Sequence, residues 1–230
     1  VSIITIDSDE GIEIMRHTLT AQVLARAIKN LYPKSKLAIG PTIDDGFYYD
    51  VESEKSISSD DLSKIEDEMK KIIKTKSSIT KKLVSKSEAL KIFKENKESY
   101  KEIIVNESKQ KDNFQLYYQD DKKFVDLCRG PHLPNLEFIG SFKLTKVSGA
   151  YWKGDSANAM LTRIYGTAFN NEKDLQSHLD NLEEALKRDH RKLGKEMDLF
   201  HFQDEAPGMV FWHQNGWSIY RKLRNFIRGR

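Results

Sequence analysis

Short apolar runs separated by turn residues, and set among amphipathic helical stretches, constrain the fold of this chain most strongly. Apolar residues recur at three- and four-residue spacing from Leu19 to Leu31, and Pro33 ends this predicted helix. Gly40-Pro41 and Asp45-Gly46 separate two short apolar runs, a pattern typical of a hairpin. Further helices are predicted over 62–73 and 87–94, and strands over 79–84, 114–118, 124–128, 142–147 and 161–169. This mixture indicates an α+β fold, with a mostly antiparallel sheet and helices packed on it.

The predicted α+β domain covers residues 1–170, and the pattern changes after it. Leucines at approximately heptad spacing predict a long linker helix over 171–196, although the seam position at Asp189 is polar. Pro207-Gly208, followed by aromatic residues, indicates the beginning of a different unit over 197–230. Because the chain starts at Val1 without a methionine and stops shortly after a predicted helix, we expect an excised piece of a longer protein.

Charge is nearly balanced along the chain, so any nucleic-acid site must be a local patch. The 38 basic and 35 acidic side chains leave a net charge of +3. One basic band lies on the predicted linker helix, at Lys187, Arg188, Arg191 and Lys192. A band of this width can touch several phosphates of a nucleic acid, and a merely solvated helix face is an equally weighted alternative.

Cysteine usage and hydropathy indicate the compartment. The only cysteine is Cys128, which excludes an internal disulfide. No apolar stretch approaches the roughly 20 residues that a membrane-spanning helix needs. Both features predict a cytoplasmic protein with no membrane partner.

The densest group of reactive side chains lies in the segment Asp126–His132. Strand periodicity places Phe124, Asp126 and Cys128 on one face of a strand, so a carboxylate and a thiol are neighbours. Gly130-Pro131 then turns the chain, and His132 can converge on Cys128 across the turn. This loop has the composition of a catalytic or metal site, and a structural pairing of Asp126 with Arg129 around a buried cysteine is about equally frequent.

Two residues outside this loop are weaker candidates when they are considered alone. His17 lies at the amino end of the first predicted helix, among polar neighbours. Lys101 follows a tyrosine in Glu98-Ser99-Tyr100-Lys101. Most isolated histidines are solvent-facing or hydrogen-bonded, and a single lysine beside a tyrosine is commonplace, so neither residue indicates a function by itself.

Several segments, in order and with matching spacing, resemble the editing domain of threonyl-tRNA synthetases of the bacterial type. They are Leu37-Ala38-Ile39-Gly40-Pro41, Gly46-Phe47-Tyr48-Tyr49-Asp50, the Asp126–His132 loop and Gly149-Ala150-Tyr151-Trp152-Lys153-Gly154-Asp155-Ser156. The similarity continues through Arg163–Phe169, Lys187–Lys195 and Glu205–Met209, so it covers essentially the whole chain from Ser8. The resemblance also implies an architecture like that of the editing domains of alanyl-tRNA synthetases and their free-standing deacylases.

The resemblance implies that the domain removes serine from wrongly charged threonine tRNA, by attack of water on the aminoacyl ester. Threonine and serine differ by one methyl group, which a binding pocket can exploit for only ~1–3 kcal/mol, so a second hydrolytic site is needed. The implied catalytic residues are His17, Lys101, Asp126, Cys128 and His132, and the implied substrate-contacting residues are Tyr49, Arg129 and Gln22. Alanine at Lys101 or His132 is predicted to abolish hydrolysis with little loss of stability.

One segment departs from the family pattern. The first helix of the family usually reads His-Ser-x-Ala-His, whereas this chain has His17-Thr18-Leu19-Thr20-Ala21-Gln22, with one extra residue and no second histidine. Either a bulge keeps His17 in the site, or His17 is displaced by about 100° around the helix. Alanyl relatives use two histidines with a cysteine and a third histidine as zinc ligands, and glutamine replaces such a ligand poorly. We therefore predict no metal in this domain.

The resemblance also implies partners and limits. The expected partner is the 3′ end and acceptor stem of threonine tRNA, bound in part by the basic band at Lys187–Lys192. Zinc and Mg-ATP would belong to the catalytic core of the longer enzyme, and residues 197–230 form only the beginning of that core. The longer enzyme would form a homodimer. The competing hypotheses are a tRNA-binding module that has lost catalysis, favoured by the altered His17–Gln22 stretch, and a free-standing aminoacyl-tRNA deacylase.

Overall fold

A computed structural model describes residues 3–119 and 124–229 of the chain. They form two compact units, the first ending at Leu175 and the second beginning at Gln176. The predicted boundary at residue 170 thus falls just before the end of the first unit. No helix in the described residues is both long and apolar enough to span a lipid bilayer.

The first unit contains a five-stranded antiparallel sheet that confirms the predicted hairpin and the last two predicted strands. Its strands are β1 (Lys36–Leu37), β2 (Thr42–Ile43), β3 (Gly46–Glu52), β7 (Ser141–Tyr151) and β8 (Met160–Phe169). The order is β1-β3-β8-β7, and β2 pairs with the beginning of β3. Phe47, Tyr49 and Val51 alternate along β3 and are fully buried against the helices, whereas Tyr48 faces the other side of the sheet.

The first helix begins earlier than its periodicity predicted and changes its winding within the chain. Ser8 accepts a hydrogen bond from the Gly11 amide and caps α1 (Asp9–Thr18), so residues 9–11 already form the first turn of the helix. A π-helical turn (Leu19–Leu24) follows, and α2 (Ala25–Leu31) completes the helix before Pro33. Every residue of the π-helical turn is buried, because this part of the helix packs inside the main core.

A second, three-stranded antiparallel sheet has the order β4-β5-β6. Its strands β4 (Ile79–Val84), β5 (Phe114–Gln119) and β6 (Phe124–Leu127) confirm three predicted strands. Helix α3 (Leu62–Lys74) packs with the main core, and α4 (Lys86–Glu95) packs on the second sheet through Ala89 and Phe93. Along β6, Phe124 belongs to the main core while Val125 and Leu127 contact the other one. The predicted alternation of this strand is therefore confirmed.

One helix of the first unit was not predicted. Helix α5 (Ser99–Glu107) follows Lys97, which has a positive φ of 59°. Its apolar residues are too few and too clustered to give a clear helical stripe in the sequence. In the structure only Tyr100, Lys101 and Val105 are buried along it. A carboxylate oxygen of Glu98 accepts the Leu37 amide at 2.7 Å and the other contacts Lys29 at 2.7 Å. These contacts attach the beginning of α5 to the main sheet and to α2.

The segment 171–196, where a long linker helix is predicted, is helical in the structure but consists of two helices. Helix α6 (Glu172–Lys187) ends before Asp189, and α7 (His190–Glu196) begins after it. The Asp189 side chain accepts the Arg191 amide and caps α7. The polar residue that interrupted the leucine seam is thus a helix cap. The second unit is completed by β9 (Phe200–His201) paired with β10 (Phe211–Trp212), and by α8 (Gln214–Arg228).

Candidate functional site

The loop at Asp126–His132 follows β6 and meets side chains from three other elements of the first unit. The Lys101 ammonium on α5 lies 2.6 Å from Asp126 Oδ1, and both side chains are almost fully buried, at 4% and 3% exposed. The Tyr49 hydroxyl on β3 donates to Asp126 Oδ2 at 3.4 Å, and the Leu127 amide donates to Oδ1 at 2.8 Å. The sequence left open whether Asp126 pairs with Arg129, and the structure pairs it with Lys101.

Burial dominates the electrostatics of this group. It raises the pKa of the Asp126 carboxyl above its ordinary value, and the neighbouring Lys101 ammonium opposes that rise. Burial and the nearby carboxylate raise the pKa of Tyr49 well above that of a free phenol, so its hydroxyl remains a hydrogen-bond donor. Lys101 and Asp126 therefore form a buried ion pair, with a neutral phenol beside it.

A second cluster joins α1 to the loop. His17 Nε2 lies 2.9 Å from Cys128 Sγ, and the rings of His17 and His132 have centroids 4.6 Å apart. Burial raises the pKa of the Cys128 thiol to about 11 and lowers the pKa of His132 to about 3; it also lowers that of His17. At neutral pH the cluster thus consists of a thiol and two uncharged imidazoles.

A cavity of about 900 Å³ opens onto both groups. Five of the predicted site residues line it: His17, Lys101, Asp126, Cys128 and Arg129. Apolar residues at its wall include Ile39, Pro41 and Ile104. Its size lies within the range of small-molecule sites, roughly 300–1,000 Å³, and exceeds what a single amino acid needs.

Three predicted site residues do not line this cavity. Tyr49 and His132 lie behind it, in contact with Asp126 and His17 respectively. Gln22 is fully buried, and its backbone and side-chain oxygens accept from Gln119 Nε2 at 2.6 and 2.9 Å. The structure therefore directs Gln22 away from the position of a substrate-contacting residue.

The π-helical turn explains how His17 remains in the site. The sequence left two alternatives for its extra residue, a bulge or a rotated His17. The wider turn at Leu19–Leu24 takes up an additional residue within the helix. His17 contacts Cys128, as the first alternative predicts, while Gln22 points toward Gln119.

Tyr117 is a supporting residue that sequence reasoning missed. It pairs with Asp126 in the β5–β6 register, and its ring packs edge-on against His132 with centroids 4.4 Å apart. The two strands and their alternation were predicted, but their register was not. Only the register places Tyr117 beneath the loop.

Gly130 is the loop residue that packs against Tyr117, and we predict that alanine there destabilises the protein. Gly130 has a φ of +64°, and an added Cβ would lie 2.0 Å from the Tyr117 hydroxyl. The left-handed conformation alone costs a residue with a Cβ roughly 1–2 kcal/mol. Urea unfolding should show a larger loss for Gly130→Ala than for the control Gly154→Ala, whose φ is +74° but whose added Cβ meets nothing within 4 Å. Equal losses would contradict the contact with Tyr117.

His17, Cys128 and His132 can together hold a metal ion. One ligand atom from each lies within 4.8 Å of the others. Two imidazole nitrogens and a sulfur match the donors that catalytic zinc takes when it keeps an open position, where it would polarise a bound water. A fourth ligand from Gln22 is excluded by its contact with Gln119. The absence of metal stays a prediction.

The basic band of the second unit lies beside acidic side chains of the same chain. Lys187 contacts Glu183 at 2.9 Å, Arg188 contacts Glu184 at 3.2 Å and Arg191 contacts Asp189 at 2.6 Å. Lys192 lies 3.9 Å from Glu196. The cations predicted to bind phosphates are therefore partly neutralised within their own helices.

Comparison with known proteins places these features in a family. Residues 115–165, which contain the loop and the strands on either side of it, match the second additional domain of threonyl and alanyl tRNA synthetases. Over 228 residues, 99% of the chain, it is 52% identical to the threonine–tRNA ligases of Prochlorococcus marinus and Legionella pneumophila. The chain belongs to the threonyl-tRNA synthetase family. It spans 35% of the length of these two relatives.

Membership in the threonyl-tRNA synthetase family agrees with the observed fold. The matched residues contain β5, β6, β7 and most of β8, all antiparallel. The α+β fold predicted from the sequence is confirmed, as is the resemblance to the editing region of threonyl-tRNA synthetases.

Proposed function

We propose that the first unit hydrolyses the ester that joins serine to threonine tRNA. The observation that carries this proposal is the convergence of His17, Lys101, Asp126 and Cys128, from three separate elements, on the wall of one cavity of about 900 Å³. A cavity of this size has room for a seryl group together with the terminal adenosine. Membership in the threonyl-tRNA synthetase family supplies the substrate class.

Lys101 and His17 would do the central chemistry. The Lys101 ammonium, held by Asp126 at 2.6 Å, is a fixed positive charge that would stabilise the oxyanion formed at the ester carbonyl. His17 has a lowered pKa, so its ring is uncharged at neutral pH and can accept a proton from the attacking water. Tyr49 would keep Asp126 oriented toward Lys101 through its hydroxyl.

Cys128 would shape the pocket and not attack the ester. The reactive form of a cysteine is the thiolate, and burial raises the pKa of this thiol to about 11. At neutral pH it carries its proton and contacts His17 Nε2. Direct attack by water, without a covalent intermediate, therefore fits the site better.

The expected partner is threonine tRNA in the cytoplasm, bound at its 3′ end by the cavity. We propose that Arg129 contacts the substrate at the cavity wall and that the band at Lys187–Lys192 contacts the acceptor stem. Exposed ion pairs contribute only about 0–1 kcal/mol, so phosphates can replace the acidic partners of that band. The longer protein would ligate threonine to tRNA, with zinc and Mg-ATP in its catalytic core, and would form a homodimer.

We predict that hydrolysis needs no metal. Gln22 replaces one histidine of the zinc-binding relatives and is turned toward Gln119, and Lys101 already supplies a positive charge at the cavity. Dialysis against a chelator should leave the rate of serine release unchanged, with elemental analysis of the dialysed protein as the control. One zinc per chain, whose removal stops serine release, would contradict this prediction.

The altered His17–Gln22 stretch favours one other candidate, a tRNA-binding module without catalysis. Incubation of the chain with serylated threonine tRNA separates the two functions. The hydrolase releases serine faster than the spontaneous rate. A pure binding module slows serine release or leaves it unchanged while it retains tRNA on a filter.

A further inference from the structure

The hydroxyl of Thr18 connects α1 to the catalytic loop. Thr18 Oγ1 donates to the Ile14 carbonyl at 2.8 Å, one turn earlier on the helix. The Leu133 amide donates to the same oxygen at 2.9 Å. His132 Nδ1 lies 3.2 Å from it. One hydroxyl thus contacts three polar groups, two of which belong to the segment that follows Pro131.

The number of protons on the Thr18 hydroxyl determines which group donates in the contact between Thr18 and His132. A threonine hydroxyl carries a single proton, and its shortest contact with an acceptor is that with Ile14. A contact between Thr18 and His132 then requires the proton to come from the imidazole. An N–H at 3.2 Å from an oxygen is within the range of a hydrogen bond. His132 therefore carries its proton on Nδ1.

The other nitrogen of His132 then bears a lone pair. His132 Nε2 is buried and has no hydrogen-bond partner among the described residues. The His132 ring lies beside the His17 ring, with centroids 4.6 Å apart, and one ligand atom each of His17, Cys128 and His132 lie within 4.8 Å of one another. The tautomer consequently determines whether the buried Nε2 bears a lone pair or the positive end of an N–H dipole. Which nitrogen of a histidine is protonated depends on the hydrogen bond that the other one makes.

We infer that Thr18 is a positioning residue that holds His132 in the tautomer protonated at Nδ1, so that its buried Nε2 keeps a lone pair close to the His17 ring. This inference rests on the proposed function, in which His17 accepts a proton from water. With its proton on Nε2, His132 would place a buried N–H dipole close to the base and make His17 a poorer acceptor. With the proton on Nδ1, the neighbouring lone pair favours the protonated form of His17 that proton transfer creates.

The experiment measures the tautomer directly, with ¹⁵N-labelled histidine and the resonances of both His132 nitrogens. The native chain and Thr18→Ser, which keeps the hydroxyl, should both be protonated at Nδ1. Thr18→Val, which keeps the shape but has no acceptor, should move the proton at least partly to Nε2. General-base catalysis contributes about 10²–10⁴-fold, so we expect a fall in kcat of up to that size, with little change in KM, for Thr18→Val only.

The measurement separates this inference from the proposed function, because the tautomer of the native chain can be determined without any substrate. Protonation at Nε2 in the native chain would overturn the inference. So would an unchanged tautomer in Thr18→Val. If Thr18→Val fails to fold, the native chain still tests the inference, because protonation at Nε2 there would overturn it.

Discussion

Replacement of Lys101 by alanine is expected to stop serine release and to destabilise the first unit strongly. Lys101 and Asp126 form a buried ion pair with 2.6 Å between the charged atoms. Removal of one partner leaves the other charge buried without compensation, which typically costs about 3–5 kcal/mol. Loss of a group that stabilises an oxyanion lowers kcat by roughly 10²–10³. Urea unfolding and single-turnover hydrolysis of seryl-tRNA measure the two effects separately.

The matched control is the double variant Lys101→Met with Asp126→Asn. It removes both charges together, so it should recover much of the stability lost in Lys101→Ala while hydrolysis remains absent. An active double variant would show that the ion pair only supports the structure. The sequence predicted little loss of stability for Lys101→Ala. The observed burial of both charges argues against that prediction. No sequence pattern indicated that the Lys101 side chain on α5 is buried.

Acidification is expected to destabilise the protein through His132 well before most carboxylates are protonated. Burial lowers the pKa of His132 to about 3 from an ordinary value of 6.5, so the folded state favours the neutral ring. The unfolded chain binds a proton near pH 6.5 and the folded one does not. This contribution to stability is therefore complete above pH 6.5 and is lost as the pH falls toward 3. The full loss is on the order of 3–5 kcal/mol.

His132→Asn isolates this effect, because asparagine can still donate to Thr18 but does not titrate. Urea unfolding at several pH values between about 7 and 4.5 should give a steep fall for the native chain, with about 2–3 kcal/mol of it due to His132. The variant should show a smaller slope. The lowered pKa of His17 contributes with the same sign in both proteins. Identical slopes would contradict a buried, neutral His132.

The sequence predicted the strands of the first unit well, because their signals are local. Turn residues such as Asp45-Gly46 border the short apolar runs, and the alternation around Asp126 identified the faces of β6 correctly. The helices were less predictable where tertiary contacts override periodicity. Helix α5 lacks a clear apolar stripe, and Asp189 was predicted as a polar position inside one continuous helix although its side chain caps a second helix.

The candidate site could be predicted only in part. The loop at Asp126–His132 indicated chemistry by its own composition, whereas Lys101 and His17 entered through the resemblance. Their convergence depends on the packing of α5 and on the π-helical turn at Leu19–Leu24. The sequence shows that the helix has one extra residue, but it does not show whether a bulge accommodates that residue or whether His17 is rotated around the helix. The burial of Gln22 against Gln119 follows from the same turn and was not predicted.

The proposed editing function is tested most directly by the ratio of two rate constants, for hydrolysis of seryl and of threonyl esters of the same threonine tRNA by the native chain. We expect the protein to hydrolyse the seryl ester faster than its spontaneous rate. We also expect faster hydrolysis of the seryl than of the threonyl ester, by about 10-fold or more, since exclusion of one methyl group contributes ~1–3 kcal/mol. Equal rate constants for the two esters would contradict the assignment of this cavity as an editing site. So would a seryl ester that is hydrolysed no faster with the protein than without it.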